Sequence, residues 1–161
     1  MKVRAASQAD IPFIMRAERL EGNDGLVGRW EESAHRTEMA NSSSAYLILE
    51  SPEAEALGFV MLQKLDEPNG NVLLRRIAVI APGEGLGQAL LQAVAAFVFA
   101  RPCAHRLHLI VHAGNARAHR AYAKAGWVQE GVEREGHRRP DGAREDNIVL
   151  SILRPEWEAR P

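Results

Sequence analysis

The stretch from Val72 to Phe99 constrains this chain more than any other, because its apolar period changes once and three glycines mark the change. Val72 to Ile80 reads as a strand, ended by Pro82-Gly83. Leu86, Leu90, Leu91, Val94, Phe97 and Val98 then trace one helical face over 86–99. Gly83, Gly85 and Gly87 let the backbone between them turn tightly and leave no Cβ in the way of a ligand. The first turn of the helix has unpaired N–H groups and the positive end of the helix dipole, so a pyrophosphate suits the place. Glu84, the negative side chain there, is expected to point outward.

The rest of the chain supplies a mixed α/β frame for that unit. Residues 2–7 read as an edge strand, and Asp10 as the cap of a helix carrying Ile11, Ile14 and Met15. A Gly-Asn-Asp-Gly break at 22–25 precedes a second helix over roughly 27–39, with Glu31, Glu32, His35 and Arg36 on its outer side. Tyr46 to Leu49 and Leu57 to Leu62 are strands that meander into Val72–Ile80 through the Asn69-Gly70-Asn71 turn. Arg106 to His112 is a further strand, followed by a helix from an Asn115 cap to Lys124, with Gly126 behind it. A short strand at Trp127–Gly131, a polar loop around Pro140-Asp141-Gly142 and a closing strand at Asn147–Leu153 complete the reading. With no repeat or linker, residues 1–161 are expected to form one domain.

A dinucleotide fingerprint is a poor match for the glycine turn. Its spacing is Gly-x-Gly-x-Gly, and it follows three consecutive strands rather than opening a βαβ unit. No Gly-Lys-Ser or Gly-Lys-Thr is present to make it a nucleotide-triphosphate loop. Ile77-Ala78-Val79 with Gly83-Glu84-Gly85-Leu86-Gly87-Gln88-Ala89-Leu90-Leu91 resembles the acetyl-CoA-binding motif of the GCN5-related N-acetyltransferases (GNAT). Asn115 to Trp127, with Asn115, Tyr122 and Gly126, is similar to that family's second motif.

The resemblance implies a GNAT-like acyl-CoA N-acyltransferase fold, a twisted mixed sheet flanked by helices, with acetyl-CoA as acyl donor. It implies that the backbone of Ile77 and Val79 pairs with the pantetheine arm. The turn with Glu84, Gly85, Leu86, Gly87 and Gln88 holds the pyrophosphate, and Asn115 binds near the arm where two parallel strands splay apart. Pro82 departs from the family, which usually carries Gln or Arg there, and removes one N–H from the edge of the site.

Acetyl transfer to an amine needs a neutral nitrogen, a polarised thioester carbonyl and a proton for the leaving thiolate. Tyr122, seven residues after Asn115 on the same helix, has the family's leaving-group position; the competing reading is a core tyrosine. The Val79 N–H is expected to face the thioester oxygen. No base is assigned, since Leu74-Arg75-Arg76 stands where some relatives carry Glu; Glu31, Glu32, Glu38 and Asp146 are the visible candidates.

Composition narrows the function classes. Twenty Lys and Arg against twenty-one Asp and Glu argue against a general nucleic-acid binder. One cysteine, Cys103, forms no internal disulfide and no zinc site. His108 and His112 share a strand face but lie ~13 Å apart at about 3.3 Å per residue, too far to hold one metal. No signal-peptide core or membrane span is read, so the expectation is a cytoplasmic protein, monomer or homodimer, without metal.

The tail narrows the acceptor. Glu130-Gly131, Arg134, Asp141-Gly142 and Asp146 resemble the family branch that acetylates ribosomal-protein N-termini, which makes a peptide or protein N-terminus the first reading. A polyamine or other small primary amine is the alternative, and an acidic mouth built from Glu31, Glu32, Glu38 and Asp146 would suit either. The alternative of another class is a non-catalytic CoA-binding or protein-interaction module.

Overall fold

The computed structural model describes residues 1–23 and 25–160; Asp24, in the break expected at 22–25, lies outside the described residues. The elements are β1 (Lys2–Ala5), α1 (Ile11–Glu18), α2 (Glu32–Met39), β2 (Ala45–Glu50), β3 (Ala56–Gln63), β4 (Asn71–Val79) and α3 (Leu86–Phe99). After them come β5 (Arg106–His112), α4 (Ala116–Lys124), β6 (Val128–Arg138), β7 (Arg144–Leu153) and α5 (Arg154–Glu158). The strands form a sheet in the order β1-β2-β3-β4-β5-β7-β6. All neighbours are antiparallel except β4 and β5. Such a mixed sheet flanked by helices is the GNAT-like fold the sequence implied.

One face of the sheet is covered by α3, whose Leu90, Leu91, Val94 and Val98 pack with Leu107, Leu109 and Val111 of β5. The other face carries a smaller core, in which Phe13, Ile14 and Ala17 of α1 meet Ile48, Phe59, Met61 and Ala78. Strand β4 serves both. Opposite β3 its register slips between Met61 and Leu62, leaving Arg75 as the extra residue of a β-bulge. Val72 and Leu74 before the bulge face α3, as do Ile77 and Val79 after it, whereas Ala78 joins the α1 side and Arg76 is buried. Without the bulge the period of two would put Leu74 and Arg76 on one face.

The second structural feature is a splay. Parallel pairing of β4 with β5 covers only Asn71, Val72 and Leu73 against Arg106, Leu107 and His108. Beyond Leu73 the two strands part. Their near ends are held by Gly70, whose φ of 72° favours glycine and where a Cβ would overlap the Cys103 carbonyl oxygen.

Several sequence expectations are corrected. The second helix starts at Glu32, not near 27: residues 26–31 are irregular, and a Cβ on Gly28 would lie 2.7 Å from Arg76 Nη2. His35, expected on the outer side of that helix, is fully buried, with Nδ1 3.1 Å from the Tyr46 hydroxyl. Asp10 makes no side-chain cap; its carboxylate accepts from Ser7 N and the Arg4 guanidinium. The last two strands are one long hairpin, and the chain continues into α5. Leu153 N donates to Glu156 at the start of that helix, and Trp157 stacks on Phe99 at 6.3 Å.

Candidate active site

The site grows out of the splay. Ile80 N donates to Leu57 O of β3 at 2.9 Å, so by antiparallel alternation Ala78 also turns its backbone groups toward β3. Ile77 and Val79 therefore turn theirs the other way, toward the gap left by β5. A cavity of about 210 Å³ occupies that gap. Its walls come from β4, from Ile110 and His112 of β5, from Leu26 to Gly28, and from Asn115, Arg117 and Tyr122 around α4.

At one end of the cavity the glycine turn opens onto α3. The first intrahelical bond donated beyond the turn is Ala89 N to Gly85 O at 3.1 Å, which leaves the Leu86, Gly87 and Gln88 N–H groups ahead of the helical ladder. Gly85, the N-cap, has a φ of 81°, a left-handed conformation that other residues adopt at a cost. A Cβ built on Gly83, Gly85 or Gly87 meets nothing within 4 Å, so these positions keep a cradle open that side chains would fill. That cradle, with the positive end of α3 behind it, fits a pyrophosphate. Glu84 is exposed, as expected. Leu86 is buried in the core and Gln88 donates through Nε2 to Ala121 O at 2.7 Å, which leaves only their backbone N–H groups for a ligand.

Helix α4 supplies the other wall. Asn115 caps it, its Oδ1 accepting from Ala118 N at 3.1 Å, so the carboxamide NH2 is the part left for a ligand. Tyr122 is buried against Trp127, with ring centroids 5.6 Å apart. Among the described residues nothing hydrogen-bonds its hydroxyl, and burial alone pushes the phenol's pKa upward. An ordinary core tyrosine has its hydroxyl satisfied. Tyr122 keeps a proton beside a cavity and has no protein group to give it to.

The carboxylates considered from sequence are elsewhere. Glu31 pairs with Arg19 at 3.1 Å and Glu32 with Arg36 at 2.6 Å. Glu38 accepts from Gln63 Nε2 at 2.9 Å, and Asp146 from Glu135 N at 2.7 Å. None lines the cavity, so the acidic mouth does not form there; its charged walls are Arg75, Arg76 and Arg117. Arg117 donates to Asn23 Oδ1 at 3.0 Å. Among the described residues no group of three or more His, Cys, Asp or Glu is placed to hold a metal, and no helix is long and apolar enough to cross a membrane.

A model of the acetyltransferase (GNAT) family matches residues 14–127, most of the chain, from α1 through both walls of the cavity. The chain belongs to this family. With that membership the chain is an acetyl-CoA-dependent N-acetyltransferase, with acetyl-CoA as acyl donor. Two solved structures, both of a spermidine N-acetyltransferase from Vibrio cholerae, share the fold. A variant of that enzyme superposes with a TM-score of 0.84 at 20% identity, covering 99% of each chain. The enzyme in complex with CoA and spermine gives 0.85 at 20% identity, over 98% of this GNAT chain and 97% of the other.

These matches overturn the branch suggested by the tail, since the similar structures are polyamine acetyltransferases and not enzymes of ribosomal-protein N-termini. Three of the four tail motifs have structural work of their own. Glu130 binds Arg106 and accepts from the Ser151 hydroxyl at 2.6 Å. Asp141-Gly142 makes the β6–β7 turn, with Ala143 N donating to Asp141 Oδ1 at 3.0 Å, and Asp146 holds Glu135 N.

His112, weighed in the sequence only as a metal ligand with His108 and set aside as an ordinary strand histidine, ends β5 at the cavity. Its Nδ1 lies 3.1 Å from Asn147 Oδ1, and its ring stacks on His137 with centroids 3.5 Å apart. The signal available in the sequence was only its place at the end of the strand that parts from β4.

Proposed function

We propose that this acetyltransferase acts on a primary amine of a small molecule, and that polyamines are the first class to test. The observation that carries amine transfer is the unpartnered Tyr122 hydroxyl in the cavity where β4 and β5 part. Bound there, acetyl-CoA supplies an acyl group activated as a thioester and a thiol leaving group. The outward-turned backbone of Ile77 and Val79 serves the pantetheine amides as a neighbouring strand would, and the Asn115 carboxamide adds a donor. The N–H groups from Glu84 to Gln88 serve the pyrophosphate. The Val79 N–H polarises the carbonyl under attack, and Tyr122 donates its proton toward the departing sulfur.

The polyamine reading is supported by the substrate named for the structures of like fold. A second reading is favoured by the cavity walls. Arg75 and Arg117 line them together with Arg76, whose charge Glu18 already meets, and no carboxylate does among the described residues, which suits an amine with a neighbouring anionic group. A CoA-release assay over polyamines, aliphatic monoamines and amino acids tests both. The highest kcat/KM is expected with spermidine or spermine. A preference for amines that carry a carboxylate supports the second reading, and turnover of no amine overturns the proposal.

A further inference from the structure

The cavity has a candidate proton acceptor that the carboxylates failed to provide. The chain Glu133–Asn147–His112 crosses three strands of the sheet and ends in the cavity. Asn147 Nδ2 donates to Glu133 Oε2 at 3.1 Å. An ionised carboxylate only accepts, so this contact fixes the amide with its Oδ1 toward His112. That oxygen is 3.1 Å from His112 Nδ1, which must then be the nitrogen that donates. The proton of the neutral ring is thereby held on Nδ1, and Nε2 keeps its lone pair. Among the described residues Nε2 has no hydrogen-bond partner, and His112 lines the same cavity as Tyr122 and the outward edge of β4.

Position agrees with tautomer. Leu107, Leu109 and Val111 of β5 point into the α3 core. His112 alternates to the opposite face, the one Leu26 to Gly28 border, while Tyr122 packs in the α3 core. The two groups thus stand on different sides of the splay, as an acceptor of one proton and a donor of another should. Asn147 is buried, and Gly136 permits its approach, since a Cβ there would lie 2.7 Å from Asn147 Nδ2.

We propose that His112 is the general base of this enzyme: its Nε2 takes the proton of the acceptor ammonium, directly or through one water, and the N–H electron pair remains on nitrogen as the nucleophilic lone pair. The inference rests on amine acetylation as proposed above. The imidazolium formed is stabilised through Asn147 by Glu133. Other titratable groups around it are His137 of β6, stacked on its ring, His119 of α4, whose Nε2 donates to the His112 carbonyl at 3.1 Å, and Glu145 of β7, which holds Gly114 N. Arg75 and Arg76 of β4 and Arg117 of α4 share the cavity walls.

The first test needs no variant and no turnover. A long-range ¹H–¹⁵N spectrum of the native protein without cofactor reads the His112 tautomer. Nδ1–H is expected, and Nε2–H would overturn the proposal. In single-turnover assays His112→Gln is expected to slow transfer by about 10²–10⁴-fold, the usual worth of acid–base catalysis, with CoA affinity unchanged by calorimetry. The loss should shrink for a weakly basic amine that is already neutral, and imidazole in the buffer should partly rescue His112→Ala. Asn147→Leu keeps the ring but frees the tautomer, so kcat should fall at constant KM for acetyl-CoA. If the native enzyme acetylates an amine and His112→Gln does so equally fast, His112 is not the base and amine acetylation stands. If the native protein binds CoA and acetylates no amine, both fall.

Discussion

Glu18 and Arg76 form an ion pair almost wholly withdrawn from water, with Oε1 2.8 Å from Nη1 and side-chain exposures of 0% and 6%. The pair ties α1 to β4 one residue past the bulge. The second Glu18 oxygen accepts from Trp30 N at 3.1 Å, and the Arg76 guanidinium lies 4.4 Å from the Trp30 ring. Removing Glu18 strands the buried Arg76 charge, which typically costs about 3–5 kcal/mol, whereas without Arg76 the carboxylate keeps Arg19 Nη1 at 3.6 Å. Glu18→Ala should destabilise by about that much in urea titrations and Arg76→Ala by less, with a double variant well short of the sum. Additive losses would show that the two do not act as a pair.

Tyr122→Phe should slow single-turnover transfer by about 10²–10⁴-fold. CoA affinity and Tm should hardly change, because the lost hydroxyl has no protein partner. Burial pushes the phenol's pKa up, so Tyr122 stays protonated across the assay range. It should therefore contribute no basic limb to the rate profile, contrary to what its role alone suggests. An unchanged single-turnover rate would remove it from the mechanism.

Gly87 separates binding from folding. It lies in the first turn of α3, its φ needs no glycine, and an added Cβ meets no protein atom. Gly87→Leu should stabilise the helix by about 0.5–1 kcal/mol, the usual cost of a helical glycine. The same side chain fills the cradle, so calorimetry should show CoA binding lost. Retained CoA affinity would place the pyrophosphate elsewhere.

Stability should fall on acidification in two stages. Burial, then nearby Arg106 and Lys64, lower the His108 pKa; burial, then the His112 ring, lower that of His137. The unfolded chain takes up those protons first, so stability present above the ordinary imidazole value of about 6.5 is lost as the pH drops through it. The hydrogen bonds from Arg4 hold Asp10 at about 2, and those from Arg106 and Ser151 hold Glu130 at about 2. Their contributions are complete above the usual carboxylate range near ~4 and vanish as the pH falls through about 2. Tm measured against pH should show both declines, and His108→Gln should shrink the first. A Tm that rises between neutrality and pH ~5 would contradict the assignment.

The parts legible in the sequence were those set by local physics. The α3 apolar face, the Asn115 cap and the β5 strand depend on neighbours within a few residues, and all three stand where the periodicity put them. What was illegible depends on distant partners. The Arg75 bulge follows from register against β3, and the loss of helix before Glu32 accompanies the Arg76 guanidinium packed beside Gly28. The Glu133–Asn147–His112 chain joins residues 14 and 35 positions apart, and no single-strand period announces it. The tail misled because a hairpin's turn and bridging residues look alike whether or not they meet a substrate.

Product analysis tests the central claim most directly. Incubation with acetyl-CoA and spermidine, with thiol release and acetylated amine quantified together by colorimetry and mass spectrometry, should give one N-acetyl product per CoA released. The native rate should collapse in Tyr122→Phe while CoA still binds. Polyamine acetylation is contradicted if spermidine remains unmodified while CoA binds, and amine transfer itself is contradicted if CoA release continues with only acetate formed across the whole amine panel.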